Sequence, residues 1–279
     1  MDELVLQYGN PDMFILVHYF GFPGKLTEAL HFCKQFGAEL LEDGAHVLMP
    51  FNNTGKKSWA TVFSPYKLLP VPKMGILVTS GVIENDKEAG EKKKWIDMDS
   101  CIWIGKRLLQ SFLTKYEIPW RSEKVPPFEL DIEEEYKDSP GISIMPLRLL
   151  RVLEPEFEHF KKIRRKNYKI MEEAISICPH SAHPLFPSLP ENVCPYLFPF
   201  RLDDKIIGDV YYNLNRIGIP AQTWPDLPPE VKGNPSRYMT AIKLRKTLLT
   251  LPVHQNLSAC QVDRMAQYLR SSILEALNS

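Results

Sequence analysis

Two short segments hold groups that could do chemistry together: Glu42, Asp43 and His46 in E-D-G-A-H, then Ser64 and Lys67 in S-P-Y-K. Each set comes at the end of a short apolar run with strand character. In open α/β sheets the carboxyl ends of strands are where ligands gather. A carboxylate and a lysine on neighbouring strand ends can also form a plain ion pair, which is the ordinary reading of charges at such positions.

The same groups suit pyridoxal phosphate (PLP). That cofactor needs an amine to hold its aldehyde as a Schiff base and an acid to keep its pyridine nitrogen protonated as an electron sink. Lys67 supplies an amine and Asp43 a carboxylate, while the His46 imidazole can hydrogen-bond or lie near a ring and the Ser64 hydroxyl can donate to a phosphate.

The elements that must position these residues follow from periodicity. M-F-I-L-V-H-Y-F reads as a buried strand. From Lys25 to Phe36 the apolar positions Leu26, Ala29, Leu30 and Cys33 recur at helical spacing, and Gly37 stands where a helix C-cap belongs. A-E-L-L, A-T-V-F-S and G-I-L-V-T read as further strands, so residues 1 to 80 have the β-α-β pattern of a mostly parallel sheet. C-I-W-I-G-K-R-L-L-Q-S-F-L is helical in period. The polar runs at 84–94 and 129–138 read as solvated loops, and the prolines within 119–127 stop any helix there.

A long helix is predicted from about Pro155 to Ile177, with Phe157, Phe160, Ile163, Ile170, Met171 and Ala174 as its apolar stripe. Lys161, Lys162, Arg164, Arg165 and Lys166 lie largely off that stripe and read as a solvated face. Beyond a proline- and histidine-rich loop come the strand Y-L-F-P-F-R-L-D, a helix ending at Gly218, the extended I-P-A-Q-T-W and the strand K-T-L-L-T-L-P. A closing helix carries Ser258 as N-cap. The reading is two domains, 1–150 as a large α/β domain and 151–279 as a smaller α+β domain. His18 and His254 read as structural histidines, and His180 with His183 lack further metal ligands nearby in sequence.

The order V-H-Y-F-G-F-P, helix, L-L-E-D-G-A-H, V-F-S-P-Y-K-L-L-P-V-P, then a Gly before an apolar strand, resembles the core of the DegT/DnrJ/EryC1/StrS sugar aminotransferases. N-V-C-P-Y-L-F-P-F-R-L-D, I-G-I-P-A-Q-T-W and L-P-V-H-Q-N-L resemble that family's C-terminal part. The resemblance implies the PLP fold-type I architecture, incomplete here because the family's N-terminal section precedes the V-H-Y-F-G equivalent. It implies Lys67 as the residue that holds the cofactor and moves protons, Asp43 on the pyridine nitrogen, His46 facing the ring or its phenolic oxygen, and Ser64 on the phosphate. It further implies transfer of an amino group from an amino acid, typically glutamate, to a nucleotide-linked keto-sugar in a homodimer. Polysaccharide, lipopolysaccharide and antibiotic sugar synthesis are all compatible.

Two local departures accompany the resemblance. Ser64 stands three residues before Lys67, where a longer S-F-x-x-x-K stretch is commoner, and Met74 in P-K-M-G replaces a glycine, which removes ready access to positive φ beside the lysine. Family dehydratases carry histidine at the lysine position, so Lys67 argues against that activity. The other reading is a truncated, non-catalytic homologue acting as a structural or interaction subunit.

Composition narrows the setting. The 279 residues are 44% hydrophobic, enough for a sizeable core, and 34 basic residues balance 34 acidic ones, which disfavours nucleic acid or an anionic membrane as partner. Five scattered cysteines without metal-ligand spacing suit a reducing, cytoplasmic location. No run reaches the ~18 apolar residues of a membrane span.

Overall fold

The computed structural model describes residues 2–50, 54–81, 95–115, 143–224 and 227–278. The polar runs at 84–94 and 129–138 and the prolines within 119–127 lie outside them. The described residues form two compact units. The first takes those of Met1–Ile118 and Ser139–Lys161 together with Pro190–Tyr196; the second takes those of Lys162–Leu189 and Leu197–Ser279.

The first unit opens with helix α1 (Asp2–Tyr8) and strand β1 (Met13–Val17), then α2 (Leu26–Phe36), β2 (Glu39–Gly44), β3 (Ala60–Phe63) and β4 (Ile76–Thr79). The strands lie in that order in one sheet: β1, β2 and β3 are parallel, and β4 closes it antiparallel to β3. Helix α2 stops at Gly37, whose φ of 73° is the left-handed cap conformation that glycine adopts at little cost. The apolar positions spaced along α2 then meet the strands, with Ala29, Cys33 and Leu40 buried against Phe14 and Leu16.

Helices α3 (Met98–Lys115) and α4 (Ile144–Leu153) follow. Leu69, Val71 and Met74, from the loop after Lys67, form a second core with Leu147, Leu150 and Phe157. Met74 is only 5% exposed and its backbone has no positive φ, so its side chain anchors this loop by burial.

Helix α5 (Phe157–Ile175), entered through a 3-10 turn at Glu154–Glu156, crosses from the first unit into the second. The second unit holds β5 (Ala182–Pro184), β6 (Leu197–Leu202), α6 (Ile207–Arg216), β7 (Gln222–Thr223), α7 (Pro229–Gly233), α8 (Met239–Thr247), β8 (Leu248–Pro252) and α9 (Ala259–Asn278). Its sheet is antiparallel throughout, in the order β5-β6-β8-β7. Phe198, Phe200, Leu248, Leu249 and Leu251 are fully buried, and α6 packs on β8 and α9. Ser258 caps α9 as predicted: its Oγ accepts from the Gln261 N–H at 3.3 Å, and Gln261 Oε1 accepts from the Ser258 N–H at 2.9 Å.

One face of α5 departs from the periodic reading. Arg164 is not solvated; it is 1% exposed and its Nε donates to Gln255 Oε1 at 2.6 Å. Asn167, one turn on, donates to the carbonyls of Val253 and His254 at 3.4 and 3.1 Å. The buried stripe is therefore partly polar because it meets backbone and amide acceptors of the L-P-V-H-Q segment, which require donors. Strand β5 falls inside the proline- and histidine-rich stretch that reads as a loop, and Lys246 and Thr247 of K-T-L-L-T-L-P end α8 before the strand begins at Leu248.

Candidate active site

The site residues are set by the ends of β2 and β3. Alternation along β2 sends Glu42 and Asp43 to opposite faces of the sheet. Glu42 turns inward. Its carboxylate accepts from His18 Nε2 at 2.9 Å and from the Gly55 N–H at 2.9 Å, while His18 Nδ1 accepts from the Gly24 N–H at 2.9 Å. Because Nδ1 already accepts, the His18 proton sits on Nε2 and the pair is a neutral imidazole on a carboxylate. Burial pushes the Glu42 carboxyl up, but hydrogen bonds from His18, Gly55 and Ser58 outweigh it and hold the group below the usual range. Glu42 and His18 therefore serve the scaffold.

Asp43 stays on the other face, half-buried, with Oδ1 accepting from the Ala45 N–H at 2.9 Å. That bond caps the turn that carries the chain from β2 to His46. At β3, Ser64 ends the strand and Pro65–Lys67 forms a single 3-10 turn, closed by the Lys67 N–H donating to the Ser64 carbonyl at 3.1 Å. The turn places Lys67 Nζ 3.5 Å from His46 Nε2. Ser64 is half-buried on the same turn, and its hydroxyl makes no side-chain hydrogen bond among the described residues.

His46 is fixed by groups that its own segment does not reveal. The Phe20 N–H donates to Nδ1 at 3.2 Å, and the ring stacks on Tyr196 with centroids 4.5 Å apart and on Phe20 at 6.0 Å. Phe20 itself adopts φ 58° and ψ 17°, an unusual conformation for a bulky residue and one that stores strain. Gly21 beside it has φ 86°, and a Cβ there would lie 2.5 Å from the Cys194 carbonyl oxygen and 3.0 Å from that of His46. Tyr196 returns the tie by donating its N–H to the Phe20 carbonyl at 2.9 Å. The motifs around Phe20 and Tyr196 were visible in the sequence; their meeting at His46 was not.

The electrostatics favour a neutral imidazole. Burial, then the positive charge of Lys67, lowers the His46 pKa to about 4, against the opposing pull of Asp43. With Nδ1 accepting from Phe20, the edge of the ring that faces Lys67 is Nε2. An amine, a neutral imidazole, a carboxylate and an unengaged hydroxyl thus occupy the carboxyl ends of two parallel strands.

No family model and no curated protein matches the sequence. Solved structures match the fold. The aminotransferase TlmJ from Streptoalloteichus hindustanus superposes with a TM-score of 0.64 at 20% identity, over 95% of this chain and 66% of its own. A DegT DnrJ EryC1 StrS aminotransferase from Brucella abortus does so at 0.59 and 15%, over 96% and 67%. The PLP form of Spr1654 from Streptococcus pneumoniae, described as a sugar aminotransferase, does so at 0.64 and 16%, over 99% and 72%. The fold is that of the PLP-dependent aminotransferases. The chain spans about two thirds of the length of these structures.

Within that fold the residues at hand fit the cofactor in kind. An amine, an acid for a ring nitrogen, a ring hydrogen-bond donor and a hydroxyl for a phosphate are each present once, and their protein-side partners leave them available for those contacts.

Proposed function

We propose that this chain acts as a PLP-dependent aminotransferase, moving an amino group from an amino acid, glutamate first among candidates, to a nucleotide-linked keto-sugar. The observation that carries the reading is Lys67 Nζ held 3.5 Å from a neutral His46 at strand ends in an aminotransferase fold. PLP, when bound, supplies the electron sink that stabilises negative charge developing next to the transferred nitrogen. Lys67 would bond it through Nζ and, once released, carry a proton between carbon and nitrogen. Asp43 would hold a proton on the pyridine nitrogen, His46 would donate from Nε2, and Ser64 would donate its hydroxyl to the phosphate. A cytoplasmic homodimer acting on amino-acid and nucleotide-sugar substrates completes the proposal; the five free cysteines support a reducing setting. Among the described residues no helix is long and apolar enough to cross a membrane.

The test is to incubate the purified chain with PLP, reduce with borohydride and map the modified peptide by mass spectrometry, with Lys67→Ala in parallel. A pyridoxyl mass on Lys67 that disappears in the variant is expected. A folded protein that takes up none would overturn the reading in favour of a non-catalytic homologue.

A further inference from the structure

The second unit contains a cleft of about 580 Å³, within the usual range of small-molecule pockets, that shares no residue with the group around Lys67. One wall is α8. Met239, Ile242, Lys243 and Lys246 line the cleft at i, i+3, i+4 and i+7, a single helix face, while Thr247 is the residue of α8 that is buried. This face of α8, two apolar side chains and two lysines, lines an open cavity. The opposite wall is β6, where Arg201 pairs across the strands with His183 of β5.

Three cations therefore face one space. Among the described residues Arg201 engages only its Nε, which donates to Thr247 Oγ1 at 3.4 Å, and that hydroxyl in turn donates to the Lys243 carbonyl at 2.7 Å. The guanidinium is thus oriented while its two terminal nitrogens stay available as a planar fork. Among the described residues no carboxylate lies within 4.0 Å of Arg201, Lys243 or Lys246. Asp203, which also lines the cleft, accepts from the Lys205 N–H at 3.1 Å.

We infer that this cleft binds a hydroxyl-bearing phosphate ester, such as a sugar phosphate or a nucleotide. Arg201 would take two phosphate oxygens, Lys243 and Lys246 the remaining charge, Met239 and Ile242 the organic body, and the rim carboxylates of Asp203 and Asp204 would accept from its hydroxyls. Arg201, Lys243 and Lys246 against Asp203 and Asp204 leave the cleft one net positive charge, and the two carboxylates supply acceptors that a bare anion would not use. The inference stands apart from the amino-transfer reading.

The probe is uridine 5′-monophosphate, titrated calorimetrically into the full chain at low salt, with uridine and inorganic phosphate as comparison ligands. Saturable binding, weakened by at least about tenfold in the double variant Lys243→Ala, Lys246→Ala and unchanged in Lys67→Ala, is expected from the loss of two charge-assisted contacts. Both lysines are exposed, so the variant is expected to keep its circular dichroism spectrum. Binding that survives the double substitution, or uridine binding as tightly as its phosphate, overturns the site. Inorganic phosphate binding as tightly as the ester overturns the claim that an organic body is held. Loss of binding in Lys67→Ala would relocate the ligand to the first unit.

Discussion

His18 Nε2 lies 2.9 Å from Glu42 Oε2, with both side chains essentially excluded from solvent. This pair joins the end of β1 to β2 and, through Gly24 and Gly55, holds two loops at the carboxyl edge of the sheet. It faces away from Asp43, so the two adjacent acids of E-D-G-A-H do different work. Glu42→Ala leaves a buried ring N–H and a backbone N–H without an acceptor, a loss of about 2–4 kcal/mol. Urea denaturation of the purified protein reads it directly. Since the folded Glu42 carboxyl lies below its ordinary value of 4.5, its contribution is present above that pH and is lost as pH falls further, through the folded value. Glu42→Gln should flatten the acid limb of the stability curve; an unchanged limb would deny the pair this role.

His46 behaves in the opposite sense from a surface histidine. Its ring resonances should remain those of a neutral imidazole down to about pH 5, while ordinary histidines titrate near 6.5. Between pH 6.5 and 4 the unfolded chain binds a proton that the folded chain refuses, so stability rises with pH across that window. The change is up to about 2 kcal/mol after allowance for partial exposure. A proton NMR titration and the loss of that slope in His46→Gln are the two readouts.

Gly21 and Gly37 make a controlled comparison. Both have positive φ, 86° and 73°, but an added Cβ meets nothing within 4 Å at Gly37 and a carbonyl oxygen at 2.5 Å at Gly21. Gly37→Ala should cost about 1 kcal/mol, the conformational term alone. Gly21→Ala should cost at least about 2 kcal/mol and displace the Phe20 N–H from His46. Equal melting temperatures for the two variants would contradict the tight packing of Cys194 against Gly21.

On α5, Arg164→Ala should destabilise by about 3 kcal/mol because the Nε bond to Gln255 is lost and a long buried side chain leaves a void. Lys162→Ala, two residues earlier and exposed, should stay within about 0.5 kcal/mol. Thermal melts of both variants separate a buried role for Arg164 from that of a solvated charge.

Period and cap chemistry made much of this protein legible from its sequence: α2 with its glycine stop, the parallel strands that bracket it, the Ser258 capping box on α9, and the strand ends that carry Asp43, His46, Ser64 and Lys67. These are local properties, determined by side-chain spacing over a few residues and by the φ values that glycine alone takes easily. Tertiary structure decided what those residues face. The strained turn at Phe20, the return of Tyr196 to His46, the division of labour between Glu42 and Asp43, the burial of Arg164 against Gln255 and the turning of the α8 face to a cleft each depend on segments that meet only when the chain is folded. A residue's type and spacing fix which bonds it can make, whereas its partner and its solvation depend on which distant backbone the packed core brings beside it.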